Sequence, residues 1–125
     1  MDLLKKMKGT FIIILLGLLL QACEKHNYAP VGPDLSTPVL FSVSVQPIFN
    51  NVCNECHAKG AKPNLSEGNA FESLESGGYI VSDTSKTKES RFYQKIYVKE
   101  HKLDKLSLED QNTIKAWLYQ GAQNN

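Results

Sequence analysis

The chain has 125 residues, 42% of them hydrophobic and 22% charged, which suits one small domain and excludes a protein with two separate cores. Fourteen Lys and Arg against thirteen Asp and Glu leave a formal charge of +1, so there is no net field for holding nucleic acid and no block of like charge to act as an interaction tail. Apolar residues are unevenly spread: Phe11 to Leu20 is unbroken except at Gly17, and it follows directly on Lys5, Lys6 and Lys8. A positive segment and then an apolar stretch of about ten residues reads as an export signal, too short for a comfortable permanent membrane span.

Leu20-Gln21-Ala22-Cys23 closes that stretch. It resembles the bacterial lipobox, in which a Leu three residues back and a small residue before the Cys are read by the lipoprotein signal peptidase. The resemblance implies removal of a signal peptide at 1–22, lipid on Cys23, and anchoring to the cell envelope through that lipid, with the outer membrane facing the periplasm as the expected location. Loss of residues 1–22 leaves 11 basic and 12 acidic side chains and a formal charge of −1. It also settles the odd cysteine, since one of three is taken by lipid and two remain. Residues 23–38 form a lipidated N-terminus and flexible tether, because Pro30, Gly32, Pro33 and Pro38 interrupt any period and few large apolar side chains are present. The folded domain is expected over 39–125.

Within it, Val45, Ile48, Phe49 and Val52 recur at spacings of three and four, which predicts a short helix with one apolar face. Ser44 is placed to cap it, and Pro47 then falls in the first turn, where its missing N–H is harmless. The most informative stretch follows: Cys53-Asn54-Glu55-Cys56-His57. Two thiols so spaced can meet one edge of a porphyrin and form thioethers with its vinyl groups, and a His directly after the second can offer its imidazole to the iron. The pattern is that of c-type haem attachment. Three other readings compete. A thioredoxin-like redox pair needs a preceding strand in a βαβ setting, whereas a helix is expected before Cys53. A zinc site would need a fourth ligand beyond Cys53, Cys56 and His57, either His101 or His26. A plain structural disulfide would join Cys53 to Cys56.

Ser66 to Leu74 is predicted as a second short helix with Ala70, Phe71 and Leu74 on one side, ended by Gly77-Gly78. Tyr79-Ile80-Val81 is a brief extended piece. After a polar loop rich in Ser, Thr and Lys, Arg91 to Val98 is a third helix with Phe92 and Ile96, and Tyr93 and Tyr97, at helical spacing. The last helix is the best defined. Ser107 caps it, Glu109 and Asp110 lie near its positive end, Ile114, Trp117 and Leu118 form its apolar face, and Gly121 stops it. Trp117 is expected in the core, where the first and last helices cross. The fold class is therefore all-α, built of short helices.

The order of these features resembles the planctomycete-type cytochrome c domain, a small c-type cytochrome. The resemblance rests on Phe41-Ser42 through Gln46-Pro47-Ile48-Phe49, on Cys53 to His57, and on Pro63-Asn64-Leu65. It continues through Glu89-Ser90-Arg91-Phe92-Tyr93-Gln94-Lys95-Ile96, and through Leu106-Ser107 into the segment from Ile114 to Ala122. It spans about the whole domain. It implies a cytochrome c-like fold around one covalently attached haem c, with Cys53 and Cys56 in thioether linkage and His57 as proximal iron ligand. The family usually supplies the second axial ligand from a Met shortly before the Leu-Ser of the last helix. Here that segment reads Glu100-His101-Lys102-Leu103-Asp104-Lys105, and the chain's methionines, Met1 and Met7, both lie in the signal. His101, five residues before Leu106, is expected to take the place of the Met.

The function expected on this footing is one-electron transfer at the bacterial cell envelope. So small a domain around a haem has little protein left for a substrate pocket, and electron exchange needs no catalytic group. The partners expected are redox proteins of the envelope and, through the lipid, the membrane. Two alternatives stand beside this reading: a haem-based sensor or peroxidase-like enzyme with an open iron site, and a zinc- or disulfide-stapled interaction module.

Overall fold

The computed structural model describes residues 32–125. The expected signal peptide, Cys23, His26 and the first part of the tether lie outside them. Among the described residues all regular structure is helical and no strand is present, in agreement with the all-α expectation.

The first helical run, α1, covers 41–57, longer at its start than the apolar period suggests. It passes through Phe41–Val45, Gln46–Ile48, Phe49–Cys53 and Asn54–His57. Two of these stretches have widened turns, with the Gln46 N–H donating to the Phe41 carbonyl and the Asn54 N–H to that of Phe49. Pro47 sits where the first widened stretch ends. Having no N–H to offer, it breaks the regular ladder inside the run, and a locally widened turn absorbs the defect.

Ser44 is not the cap of this helix. Its own N–H already donates to the Leu40 carbonyl at 2.9 Å, and the unpartnered N–H groups at the true start are satisfied from the far end of the chain. Phe41 N–H donates to Asn125 Oδ1 at 2.8 Å and Ser42 N–H to the Asn125 carbonyl at 3.1 Å. A second tie lies beside it: Gln120 Oε1 accepts from Val39 N–H at 2.7 Å while its Nε2 donates to the Thr37 carbonyl at 2.8 Å. Residues 37–39, where the tether was expected to give way to the domain, are thus fastened to the last helix.

The second helix, α2, spans Ala70–Ser76 and starts later than expected. Asn64 Oδ1 accepts from both the N–H and the hydroxyl of Ser66, at 3.0 and 2.8 Å, and Gly68 has φ of 80°. That turn chemistry holds residues 66–69 out of a helix. The expected stop is present: Gly78 has φ of 64°, and Tyr79 N–H donates to the Leu74 carbonyl at 2.8 Å. Tyr79 to Val81 runs extended without pairing as a strand.

The polar loop contains a 3₁₀ stretch, Thr84–Glu89, capped by Asp83 and anchored by buried Thr87, whose hydroxyl lies 3.2 Å from the Leu118 carbonyl. Helix α3 covers 91–98, with Ser90 Oγ accepting from Tyr93 N–H at its start. Helix α4, Leu108–Tyr119, begins as expected, with Ser107 Oγ accepting from Asp110 N–H at 3.0 Å. It ends at Gly121, where φ is 91° and an added Cβ would come within 3.1 Å of the Ser82 carbonyl. Only glycine meets both conditions without strain.

The core joins these helices around Phe41, Val45, Phe49, Leu74, Phe92, Ile96, Ile114, Trp117 and Leu118, all buried. Trp117 lies where it was expected, its ring 5.2 Å from that of Phe41 between the first and last helices, with Nε1–H donating to the Gln123 carbonyl at 2.9 Å. An aromatic chain then runs from Phe41 through Phe49, at 6.0 Å, to Phe92, at a further 5.8 Å. Phe92 is where the core meets the site.

Candidate functional site

A cavity of about 600 Å³ opens beside Phe92, within the range of small-molecule and cofactor sites. Its walls come from well-separated parts of the chain: Val52, Cys53, Cys56 and His57 from the end of α1, Pro63 and Leu65 from the following loop, Phe92, Lys95 and Ile96 from α3, then His101 and Leu106. Leu65, Phe92, Ile96 and Leu106 are buried, each at most 6% exposed, so the inner wall is apolar and the polar groups stand around it. Cys53, Cys56, His57 and His101, singled out in the sequence, are all brought to this one cavity.

Both cysteines are free thiols, Cys53 half-buried and Cys56 exposed. Burial pushes the Cys53 thiol up to about 11, an effect only partly offset by the charge of Lys102. Among the described residues no group of three or more His, Cys, Asp or Glu is placed to hold a metal ion.

His57 is oriented by the backbone. Its Nδ1 lies 2.7 Å from the Pro63 carbonyl, which can only accept, so Nδ1 carries the proton and Nε2 keeps its lone pair. A carbonyl behind an imidazole is the usual outer partner of a metal-binding His, fixing both tautomer and ring orientation. The loop that supplies it is closed by Leu65 N–H donating to the His57 carbonyl at 3.2 Å.

His101 lines the same cavity. It is placed by the end of α3, where Glu100 adopts φ of 52° and His101 N–H donates back to the Lys95 carbonyl at 3.1 Å. That is a helix-ending turn of the kind usually built on Gly. Lys102 is also left-handed, with φ of 58°. Burial, followed by the charges of Lys95, His57 and Lys102, holds the His101 pKa below its ordinary value, which favours the neutral, ligand-competent ring.

The distance between the two rings tests whether they could share an iron. A metal at the usual distance of about 2.0 Å from each imidazole nitrogen, with that nitrogen about 1.2 Å from its ring centre, sets the centroids roughly 6.4 Å apart. The separation of the His57 and His101 centroids is 6.4 Å, with 88° between the ring planes. The donor set and its spacing fit a haem iron.

Three contributions had not been read from the sequence. The Pro63 carbonyl is a backbone atom and leaves no side-chain signal. Tyr79 lines the cavity with the Arg91 guanidinium 4.3 Å above its ring; the arrangement requires Gly77, since an added Cβ there would collide with the Tyr79 ring. The third is a set of cations, Lys62, Arg91, Lys95, Lys99 and Lys102, of which Arg91, Lys95 and Lys99 recur every fourth residue and could have been seen. No family model, curated protein or solved structure matches the chain.

Proposed function

We propose that this protein is a c-type cytochrome that carries one covalent haem and transfers single electrons at the bacterial cell envelope, exported and held there by lipid on Cys23. The observation that carries the proposal is the meeting of Cys53, Cys56 and His57 with His101 across one apolar-walled cavity, the two imidazoles 6.4 Å apart. Haem, when bound, supplies a one-electron iron couple.

The chain's own part is to hold and tune it. Cys53 and Cys56 would form the thioethers. His57, its Nδ1 proton held by the Pro63 carbonyl, would present Nε2 as the proximal ligand, and His101 would ligate from the other face. Leu65, Phe92, Ile96 and Leu106 exclude water from the inner wall. No catalytic group is required, and ligation by both His57 and His101 would leave the iron to electron exchange rather than to the open site a sensor or peroxidase needs.

The test is production in a host competent for cytochrome c maturation, followed by denaturation and measurement of bound haem. Covalent haem that survives denaturation and disappears in Cys53→Ser/Cys56→Ser supports the proposal. A colourless protein returns the site to a zinc- or disulfide-stapled module. Five-coordinate ferric iron moves the sensor or peroxidase reading ahead of electron transfer.

A further inference from the structure

Three polar side chains are buried among the described residues: Gln46, Thr87 and Ser90. Thr87 anchors the 3₁₀ stretch to α4 and Ser90 caps α3. Gln46, 5% exposed inside α1, has neither task. Its Nε2 donates to the Leu65 carbonyl at 3.0 Å and to Asn50 Oδ1 at 2.9 Å. A carbonyl can only accept, so the Leu65 bond decides which way the Gln46 amide faces. Asn50 must then turn its Oδ1 toward Gln46, and the same oxygen accepts from Asn54 Nδ2 at 2.9 Å. Three amides, four residues apart along α1, thus take their direction from one loop carbonyl. Asn54 Oδ1, at the far end, is buried with no partner among the described residues. The order is set at the Gln46 end and its cost falls at the other.

Leu65 is fastened to α1 on both sides. Its N–H donates to the His57 carbonyl at 3.2 Å, its own carbonyl accepts from Gln46, and its side chain is 2% exposed. Two residues back, the Pro63 carbonyl lies 2.7 Å from His57 Nδ1. Between them Asn64 N–H donates to Ser73 Oγ of α2 at 2.8 Å. Gln46 is therefore the side chain by which the body of α1 grips the loop that aims His57. Without it the Leu65 carbonyl would be buried and deprived of this donor, a costly state that the loop can relieve only by moving. Movement at Leu65 carries Pro63 with it.

We infer that Gln46 is a positioning residue for His57: its amide fixes the 63–65 loop against α1 and so keeps the Pro63 carbonyl on Nδ1 and the Nε2 lone pair free. The inference rests on the functional reading above for the part His57 plays as an iron ligand. The bonds that hold the loop stand without it.

The experiment reads the proton on His57 Nδ1 by nitrogen-15 nuclear magnetic resonance of the full chain in its reduced state, together with the midpoint potential where haem is bound. Wild type is expected to show one Nδ1-bound proton in slow exchange with solvent. Gln46→Met keeps the length of the side chain and removes the donor. Its Nδ1 proton should exchange about tenfold faster or more, and its potential should rise, because a weakened Nδ1–H bond leaves the imidazole a less basic ligand. Thr87→Val is the control. It removes a buried donor from the Leu118 carbonyl, in another part of the core, and should lower stability while leaving both readings at their wild-type values.

A wild-type exchange rate in Gln46→Met overturns the inference. So does equal acceleration in Thr87→Val, because the proton would then follow opening of the whole domain. Faster exchange at an unchanged potential overturns it too, since the loop would then move without altering His57 as a ligand. Should Gln46→Met not fold, Asn50→Ala decides. Asn50 is exposed and gives the Gln46 amide its second acceptor, so its loss should raise the exchange rate about twofold or more at an unchanged melting temperature, and no rise overturns the inference. Absence of haem overturns the functional reading alone, because the His57 proton is still read in the haem-free chain.

Discussion

His101 sits between two residues whose backbones most side chains avoid. Glu100 and Lys102, with φ of 52° and 58°, each carry a cost of about 1 kcal/mol or more in this region. The turn is held all the same by the Lys95 carbonyl and by the packing of α3. Lys102→Gly should therefore raise the midpoint of thermal unfolding by a few degrees with the visible spectrum unchanged, and Lys102→Val should lower it, both read by circular dichroism. The exposed contact of Lys102 with Glu55 at 3.9 Å is too weak to reverse that order. On the proposed function, His101→Ala should turn low-spin ferric iron high-spin and let carbon monoxide bind much faster. In the haem-free chain the depressed His101 pKa also fixes the sign of a pH effect. The folded domain favours the neutral ring, so stability from this site is full above an ordinary His value of about 6.5 and is lost as pH falls through the lower folded value. Chemical denaturation of the haem-free chain at a series of pH values should show that fall, and His101→Ala should lessen it.

Helix starts in this chain are of two kinds, and only one is written locally. Ser107 caps α4 through Asp110 N–H, three positions away, and was legible from the spacing alone. Ser107→Ala should cost about 1 kcal/mol in chemical denaturation. The start of α1 depends on Asn125, 84 positions from Phe41, and no local pattern announces that; Ser44 was the reasonable and mistaken choice. The late start of α2 has a local cause, the turn at Asn64 and Gly68, which the apolar spacing of Ala70, Phe71 and Leu74 does not reveal. Asp83 gives a cap that can be titrated. Hydrogen bonds from the hydroxyl and then the N–H of Ser85 hold its carboxyl below its ordinary value. The cap is fully present above about pH 4 and fades as pH falls through the lowered value. A nuclear magnetic resonance titration should find the Asp83 pKa below the ordinary carboxylate range, and Ser85→Ala should bring it back toward that range.

At the scale of the molecule, the apolar periods of α1, α3 and α4 were enough to name most of the core, because residues such as Phe49, Ile96 and Trp117 sit on stripes that can face only inward. The site was legible as far as Cys53, Cys56 and His57, whose chemistry is local to five residues, and His101 could be named through its place before Leu106. The convergence of Lys62 and Lys102 on the Arg91–Lys95–Lys99 line could not be read, since it depends on how two loops return to α3. That same convergence bears on folding. The cavity draws walls from α1, the 61–65 loop, Tyr79, α3 and the segment 101–106, so a group covalently held there would add a further tie among them. A domain this small has a limited core and gains disproportionately from such a tie. Cys53→Ser/Cys56→Ser should therefore keep much of its far-ultraviolet helix signal and lose the near-ultraviolet band of Trp117, with a broadened melt more than about 10 °C below wild type. The aromatic chain from Phe92 through Phe49 and Phe41 gives the route by which loosening at the cavity wall reaches Trp117. Equal near-ultraviolet spectra and equal melting temperatures in the two proteins would show that the helices hold one another without help from a group at the two cysteines.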